Sequence, residues 1–194
     1  MIASLAAEPA SVEITVTDSR GARIADAVVW AMPKAAAPQR PHREAEVEQR
    51  DQRFSPLVTV VQTGTRVRFP NRDPVRHQVY SFSAAKPFEI KLYAGTSAPP
   101  ILFDKPGEVV LGCNIHDDML GYIYVVDTPW FAKTAADGAA RLADLPAGDY
   151  ELKVWHYAQS APAGSRAIRL RADETLAAAL NVSLKAQLSR PGTK

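Results

Sequence analysis

Cys113, His116 and Met119 stand three residues apart in the stretch Gly112-Cys113-Asn114-Ile115-His116-Asp117-Asp118-Met119. The chain has one cysteine, four histidines and three methionines, so seven positions gather three of its soft ligand-forming side chains. Three ligands on one short loop leave a metal sphere incomplete. The fourth has to come from a remote strand, and whatever the chain folds into must bring that strand beside the loop. His77 is the candidate, in Phe69-Pro70-Asn71-Arg72-Asp73-Pro74-Val75-Arg76-His77-Gln78-Val79, where Pro74 stiffens the approach.

The residues around the loop are strand-formers. Glu108-Val109-Val110-Leu111 runs into the cysteine, and Tyr122-Ile123-Tyr124-Val125-Val126 leaves the methionine. Val12-Glu13-Ile14-Thr15-Val16, Ala27-Val28-Val29-Trp30, Val58-Thr59-Val60-Val61, Arg66-Val67-Arg68-Phe69, Phe88-Glu89-Ile90-Lys91 and Tyr150-Glu151-Leu152-Lys153-Val154 are β-branched, alternating or both. Glu46-Val47-Glu48-Gln49 reads as one more strand. Residues 172–180 are Ala-rich, which favours helix, but Leu176, Ala178, Leu180, Val182 and Leu184 recur at period two, which predicts a strand. Short strands between turn residues and no convincing helix predict an all-β antiparallel sandwich.

Composition shifts divide the chain. Pro33, Pro38 and Pro41 mark a linker over residues 33–43, and Pro129 marks a second exit. The strands of residues 11–32 cannot make a stable sheet alone. Asp18-Ser19-Arg20-Gly21-Ala22-Arg23-Ile24 is echoed by Asp137-Gly138-Ala139-Ala140-Arg141-Leu142. The expectation is one β-sandwich built from residues 11–32 plus 130–188, interrupted by a second sandwich at 44–129, with a tail at 189–194. Residues 1–10 are small and apolar, and read either as the tail of a clipped signal peptide ending near Ser4-Leu5-Ala6 or as a loose N-terminus.

A formal net charge of +2 with scattered basic residues argues against a nucleic-acid binder, and no stretch has transmembrane length. A single cysteine rules out an intrachain disulfide. Thiolate, imidazole and thioether together select copper, and two histidines and a cysteine with a weak axial methionine form an electron-transfer set. His77, Cys113, His116 and Met119 are therefore the candidate ligands of one type 1 copper ion. Zinc, with Asp117 or Asp118 completing a tetrahedron, leaves Met119 without a role. A Cys/His nucleophile lacks an orienting third group. An enzyme with a second, catalytic copper needs further histidines, and only His42 and His156 remain. His42 reads as a solvated linker residue and His156 as a strand-end surface residue. Trp30, Trp130 and Trp155 read as core or interdomain seam, and Arg40, Arg43, Arg50 and Arg53 as a solvated face.

The stretch from Phe54-Ser55-Pro56 through Gly64, Phe69, Asn71, Asp73 and His77 to Cys113-x-x-His116-x-x-Met119 resembles the cupredoxins, the small blue copper proteins of the plastocyanin and amicyanin type. The string Gly-Cys-Asn-Ile-His-Asp-Asp-Met-Leu-Gly-Tyr resembles the bacterial methylamine-utilisation or plastocyanin-like group. The resemblance implies a cupredoxin Greek-key β-sandwich, the same four ligands and a periplasmic location. It also implies a one-electron carrier rather than an enzyme, serving redox proteins such as a cytochrome c or a dehydrogenase. Copper capture or delivery without redox cycling is the alternative. Gln78 stands where plastocyanin and amicyanin carry an asparagine that helps hold the copper loop. Asn71, Gln78 and Asn114 are the candidate supports around the ligands. The outer unit, through Val-x-Asp-x-x-Gly and Leu-Pro-Ala-Gly-Asp-Tyr-Glu-Leu, resembles carboxypeptidase-regulatory-like or transthyretin-like β-sandwiches.

Overall fold

The structure is a computed structural model and describes residues 9–35, 44–95, 99–116 and 118–185. His42, Arg40, Arg43, Asp117, the proposed signal remnant at 1–8 and the tail lie outside the described residues. Among the described residues every regular element is a strand, and no helix is long and apolar enough to cross a membrane. The chain divides into two compact units, Met1–Ala31 with Ala132–Lys194, and Met32–Phe131.

The first unit holds two sheets. In one, β1 (Ala10–Asp18) is central, flanked by β14 (Ala139–Leu145) antiparallel and β17 (Thr175–Val182) parallel. The other runs β13 (Phe131–Lys133), β2 (Val28–Pro33), β15 (Gly148–Trp155) and β16 (Arg166–Leu170). β1 begins at Ala10, which is fully buried, so this residue belongs to the sheet rather than to a loose N-terminal segment. β17 shows why alternation outweighs Ala content: Ala178, Leu180 and Val182 are buried while the residues between them are exposed. Leu176 and Leu184, the ends of the same period-two run, are only half-buried.

The second unit has a five-stranded sheet in the order β6 (Val58–Gln62), β12 (Leu120–Val126), β11 (Gly107–Gly112), β8 (His77–Ser81) and β9 (Phe88–Tyr93). A three-stranded sheet runs β10 (Ile101–Phe103), β7 (Thr65–Arg68) and β3 (Glu44–Glu46). Val61, Val67, Phe69, Val79, Phe103, Val109, Leu111, Ile123 and Val125 from these strands form one buried cluster that includes Cys113 and Met119. Each fully buried aliphatic or Phe side chain contributes about 1.5–3 kcal/mol. A two-stranded hairpin, β4 (Glu48–Arg50) and β5 (Arg53–Ser55), adds Phe54 to that core.

Three departures from the sequence reading lie in how the strands pair. Parallel pairs β1–β17, β3–β7 and β6–β12 make the sheets mixed rather than antiparallel. Residues 46–49 are not one strand, because at Val47 the chain leaves β7 and turns to β5. β10, an Ile-Leu-Phe run just past Pro99-Pro100, is a strand only because β7 lies beside it. The parallel pairs and β10 depend on partners far away in sequence, and residues 46–49 are divided between such a partner, β7, and the nearby β5.

Candidate metal centre

The loop of residues 113–119 joins neighbouring strands of one sheet and is closed by the pair Gly112 and Leu120. β8 lies on the other side of β11, with Gly112 opposite Tyr80. In that antiparallel register the chain past Gly112 runs toward His77. β8 alternates cleanly: His77, Val79 and Ser81 are buried, whereas Gln78 and Tyr80 are half-exposed. Period two thus aims His77 inward at the loop.

Three ligand atoms meet there. Cys113 Sγ lies 3.8 Å from His77 Nδ1 and 3.8 Å from His116 Nδ1. All three atoms fall within 4.8 Å of one another. The two imidazole rings are 4.9 Å apart, tilted by 53°. Bonds of about 2.0–2.3 Å from a first-row divalent ion to nitrogen and thiolate, about 120° apart, put sulfur and nitrogen about 3.8 Å from each other. The sulfur–nitrogen spacings therefore fit an ion seated between the three groups. Met119 is 1 % exposed, in the core cluster with Cys113, and its N–H donates to the His116 carbonyl at 3.0 Å. His77 is fully buried and Cys113 nearly so, while His116 is half-exposed. Ile115 in the loop and Leu120 at the start of β12 are exposed.

His77 is oriented by a carboxylate. Its Nε2 lies 2.7 Å from Asp73 Oδ2. Asp73 also accepts from the N–H of Asp51 at 2.7 Å and of Gln52 at 2.9 Å. Burial works against its charged form, yet the donors Gln52, His77 and Asp51 hold its carboxyl below the usual carboxylate range. With two backbone N–H groups already on its oxygens, the Asp73 carboxyl group is an acceptor site, and an acceptor at 2.7 Å favours the tautomer with Nε2 protonated and Nδ1 toward Cys113.

Asn71 braces this segment. Its Oδ1 accepts from Asp73 N at 2.9 Å, and its Nδ2 donates to the carbonyls of Val75 at 2.8 Å and Tyr93 at 3.0 Å. The Tyr93 hydroxyl donates to the Phe69 carbonyl and accepts from Gln49 Nε2. Burial pushes the Tyr93 phenol up to about 12; the Gln49 hydrogen bond opposes the rise and the neighbouring Cys113 adds to it.

The other two expected supports are placed differently. Gln78 Nε2 donates to Glu89 Oε1 at 2.7 Å, on the outer side of β8. Asn114 is exposed and, with Gln78, Tyr80, Phe82 and Glu89, lines a cavity of about 240 Å³. Asp73, which faces His77 directly, was legible as the third residue of Asn-Arg-Asp-Pro, four positions before the histidine. The Asp51 and Gln52 amides carried no comparable signal.

His156 is a correction. It is 6 % exposed rather than a surface residue. Its Nδ1 accepts from Ala158 N at 3.2 Å, its ring hydrogen-bonds the Ala25 backbone, and it stacks on Tyr157 at 4.3 Å. Burial pushes its pKa down, opposed by the Ala25 backbone and the charge of Asp26.

No protein-family model matches the chain. No curated protein matches it either. Solved structures do. A Cu-containing nitrite reductase from Thermus scotoductus aligns with a TM-score of 0.41 and 29 % identity over 49 % of this chain. A purple cupredoxin from Nitrosopumilus maritimus aligns at 0.38 and 21 % over 42 % of this chain and 99 % of its own. An amicyanin variant in the reduced state aligns at 0.39 and 18 % over 50 % of this chain and 99 % of its own. The chain spans a quarter of the length of the nitrite reductase chain it matches.

Proposed function

We propose that the second unit would hold one copper ion through His77, Cys113 and His116, with Met119 as a weaker fourth ligand, and that the chain carries single electrons between redox proteins. The observation that carries this reading is the placement of Cys113 Sγ 3.8 Å from two histidine Nδ1 atoms at the edge of a packed core. Copper in such a set supplies one-electron chemistry by alternating between Cu(I) and Cu(II). The residues supply rigidity. His77 and Cys113 stand at strand ends, Asp73 holds the His77 ring, and burial of both side chains keeps water from them. Little has to move when charge changes. The half-exposed His116 is the edge through which a partner is reached, and Ile115 and Leu120 offer that partner apolar contact.

A cytochrome c or a dehydrogenase in the bacterial periplasm is the partner class proposed. The proposed ligand set accounts for one ion. Optical and EPR spectra of the copper-loaded protein test the reading. An intense thiolate-to-copper band with a narrow hyperfine pattern is expected, and Cys113→Ser is expected to abolish the band. A colourless protein that takes only Cu(I) and yields it to a chelator would instead establish copper delivery. Retention of the band in Cys113→Ser would overturn the site.

A further inference from the structure

The turn of the β4–β5 hairpin is built in an unfavourable way. Arg50 pairs with Arg53, leaving a two-residue loop of Asp51 and Gln52. Both loop residues have positive φ, 53° and 56°. That is the turn for which Asn-Gly is the usual choice, because a side chain in the left-handed region is crowded. Gln in that conformation persists only where surrounding structure over-determines it. The compensation here is specific. The conformation aims two successive N–H groups at one carboxylate, Asp51 N at Asp73 Oδ1 and Gln52 N at Asp73 Oδ2, at 2.7 and 2.9 Å.

The hairpin also reaches both ligand-bearing segments. Gln49 N donates to the Pro70 carbonyl at 2.9 Å, and Arg72 N donates to the Gln49 carbonyl at 2.8 Å, which ties β4 to the approach to His77. On β5, Phe54 covers Gly121, two residues beyond Met119, so closely that a Cβ at Gly121 would lie 2.7 Å from the Phe54 Cβ. One small element thus touches the chain on either side of the metal centre.

We propose that the β4–β5 hairpin is a positioning element of the metal centre: its two turn amides hold the Asp73 carboxylate, and that carboxylate fixes His77 with Nε2 protonated and Nδ1 turned to Cys113. This deepens the copper reading and rests on it for its functional meaning, but the tautomer it requires exists without metal. Asp51 and Gln52 act through their backbones and Asp73 through His77, so all are positioning residues. The sequence is free to vary at the two turn side chains provided the N–H groups stay in place.

Nitrogen NMR of the His77 ring in the metal-free full-length protein reads the tautomer, and titration with copper(II) against a chelator reads affinity. Wild type is expected to show a single Nε2–H form. Inserting one glycine between Asp51 and Gln52 moves the amides while leaving Asp73 and every ligand in place. It is expected to mix the two tautomers and to weaken copper(II) binding by about 10–100-fold. Asp73→Leu, similar in size but without an acceptor, leaves the hairpin sequence intact; it is expected to free the His77 ring and mix its two tautomers. Asp51→Asn with Gln52→Gly keeps both amides and is expected to match wild type in tautomer and affinity. A wild-type tautomer in the insertion variant overturns the proposal, even if Asp73→Leu frees the ring, because the carboxylate would then act without the hairpin. If wild type binds no copper, the copper reading fails while the tautomer experiment still decides the hairpin's role.

Discussion

His156 shows how one side chain sets a pH dependence. Its ring is buried and its Nδ1 serves as an acceptor for Ala158 N, a role only the neutral form can fill. Burial depresses its folded pKa below the usual imidazole value of 6.5. Below that value the unfolded chain takes up the proton first, so the folded state loses stability as pH falls from about 6.5 toward the lower folded pKa, and holds it in full above. The urea midpoint of the wild type is expected to fall between pH 7.5 and pH 5.5 by more than that of His156→Asn. Equal slopes would show that the ring titrates freely. His77 is also buried, but its ring faces the Asp73 carboxylate where that of His156 faces the Ala25 backbone.

Among the elements, β8 and β11 decide whether the ligands meet. Gly112 precedes Cys113 and lies opposite Tyr80, whose ring covers it; a Cβ there would sit 2.7 Å from Tyr80 Cζ. The atoms met are the far end of the half-exposed Tyr80 side chain, so relief requires the ring to swing outward off the strand. Gly112→Ala is expected to destabilise the protein by about 1–3 kcal/mol, as overpacking does. Most of that loss should vanish in a Tyr80→Ala background, as neighbours in contact are not additive. Chemical denaturation of the two singles and the double measures the coupling. Additive losses would place the crowding elsewhere. The same register explains the loop itself: closing it at Gly112 and Leu120 leaves Cys113, His116 and Met119 on a tight turn.

For the whole molecule, the proposed organisation is a metal-binding sandwich inserted into a second, transthyretin-like one. β1 is central in its sheet, with β14 and β17 on either side, so the first unit needs both of its chain segments. A fragment of residues 44–129 is expected to bind copper with the optical band of the full chain. Residues 130–188 alone are expected to stay unfolded by circular dichroism, for want of β1 and β2. A cooperative melt of that second fragment would sink the insertion.

Local chemistry made the ligand loop readable: a lone cysteine, a histidine and a methionine at fixed spacing needed no fold to be noticed. Alternation likewise marked β1, β15 and β17, because a half-buried strand writes its period into neighbouring residues. His77 was legible because few histidines compete with it. What the linear chain does not carry is the identity of remote neighbours. The pairing of β10 with β7, the parallel contact of β1 with β17 and the burial of His156 arise from strands that are distant in sequence. The hold of the β4–β5 turn on Asp73 is the sharpest case. Backbone amides belong to every residue alike, so which two of them hold the carboxylate beside His77 is decided only when the tertiary structure brings a turn and a carboxylate twenty-odd residues apart into contact.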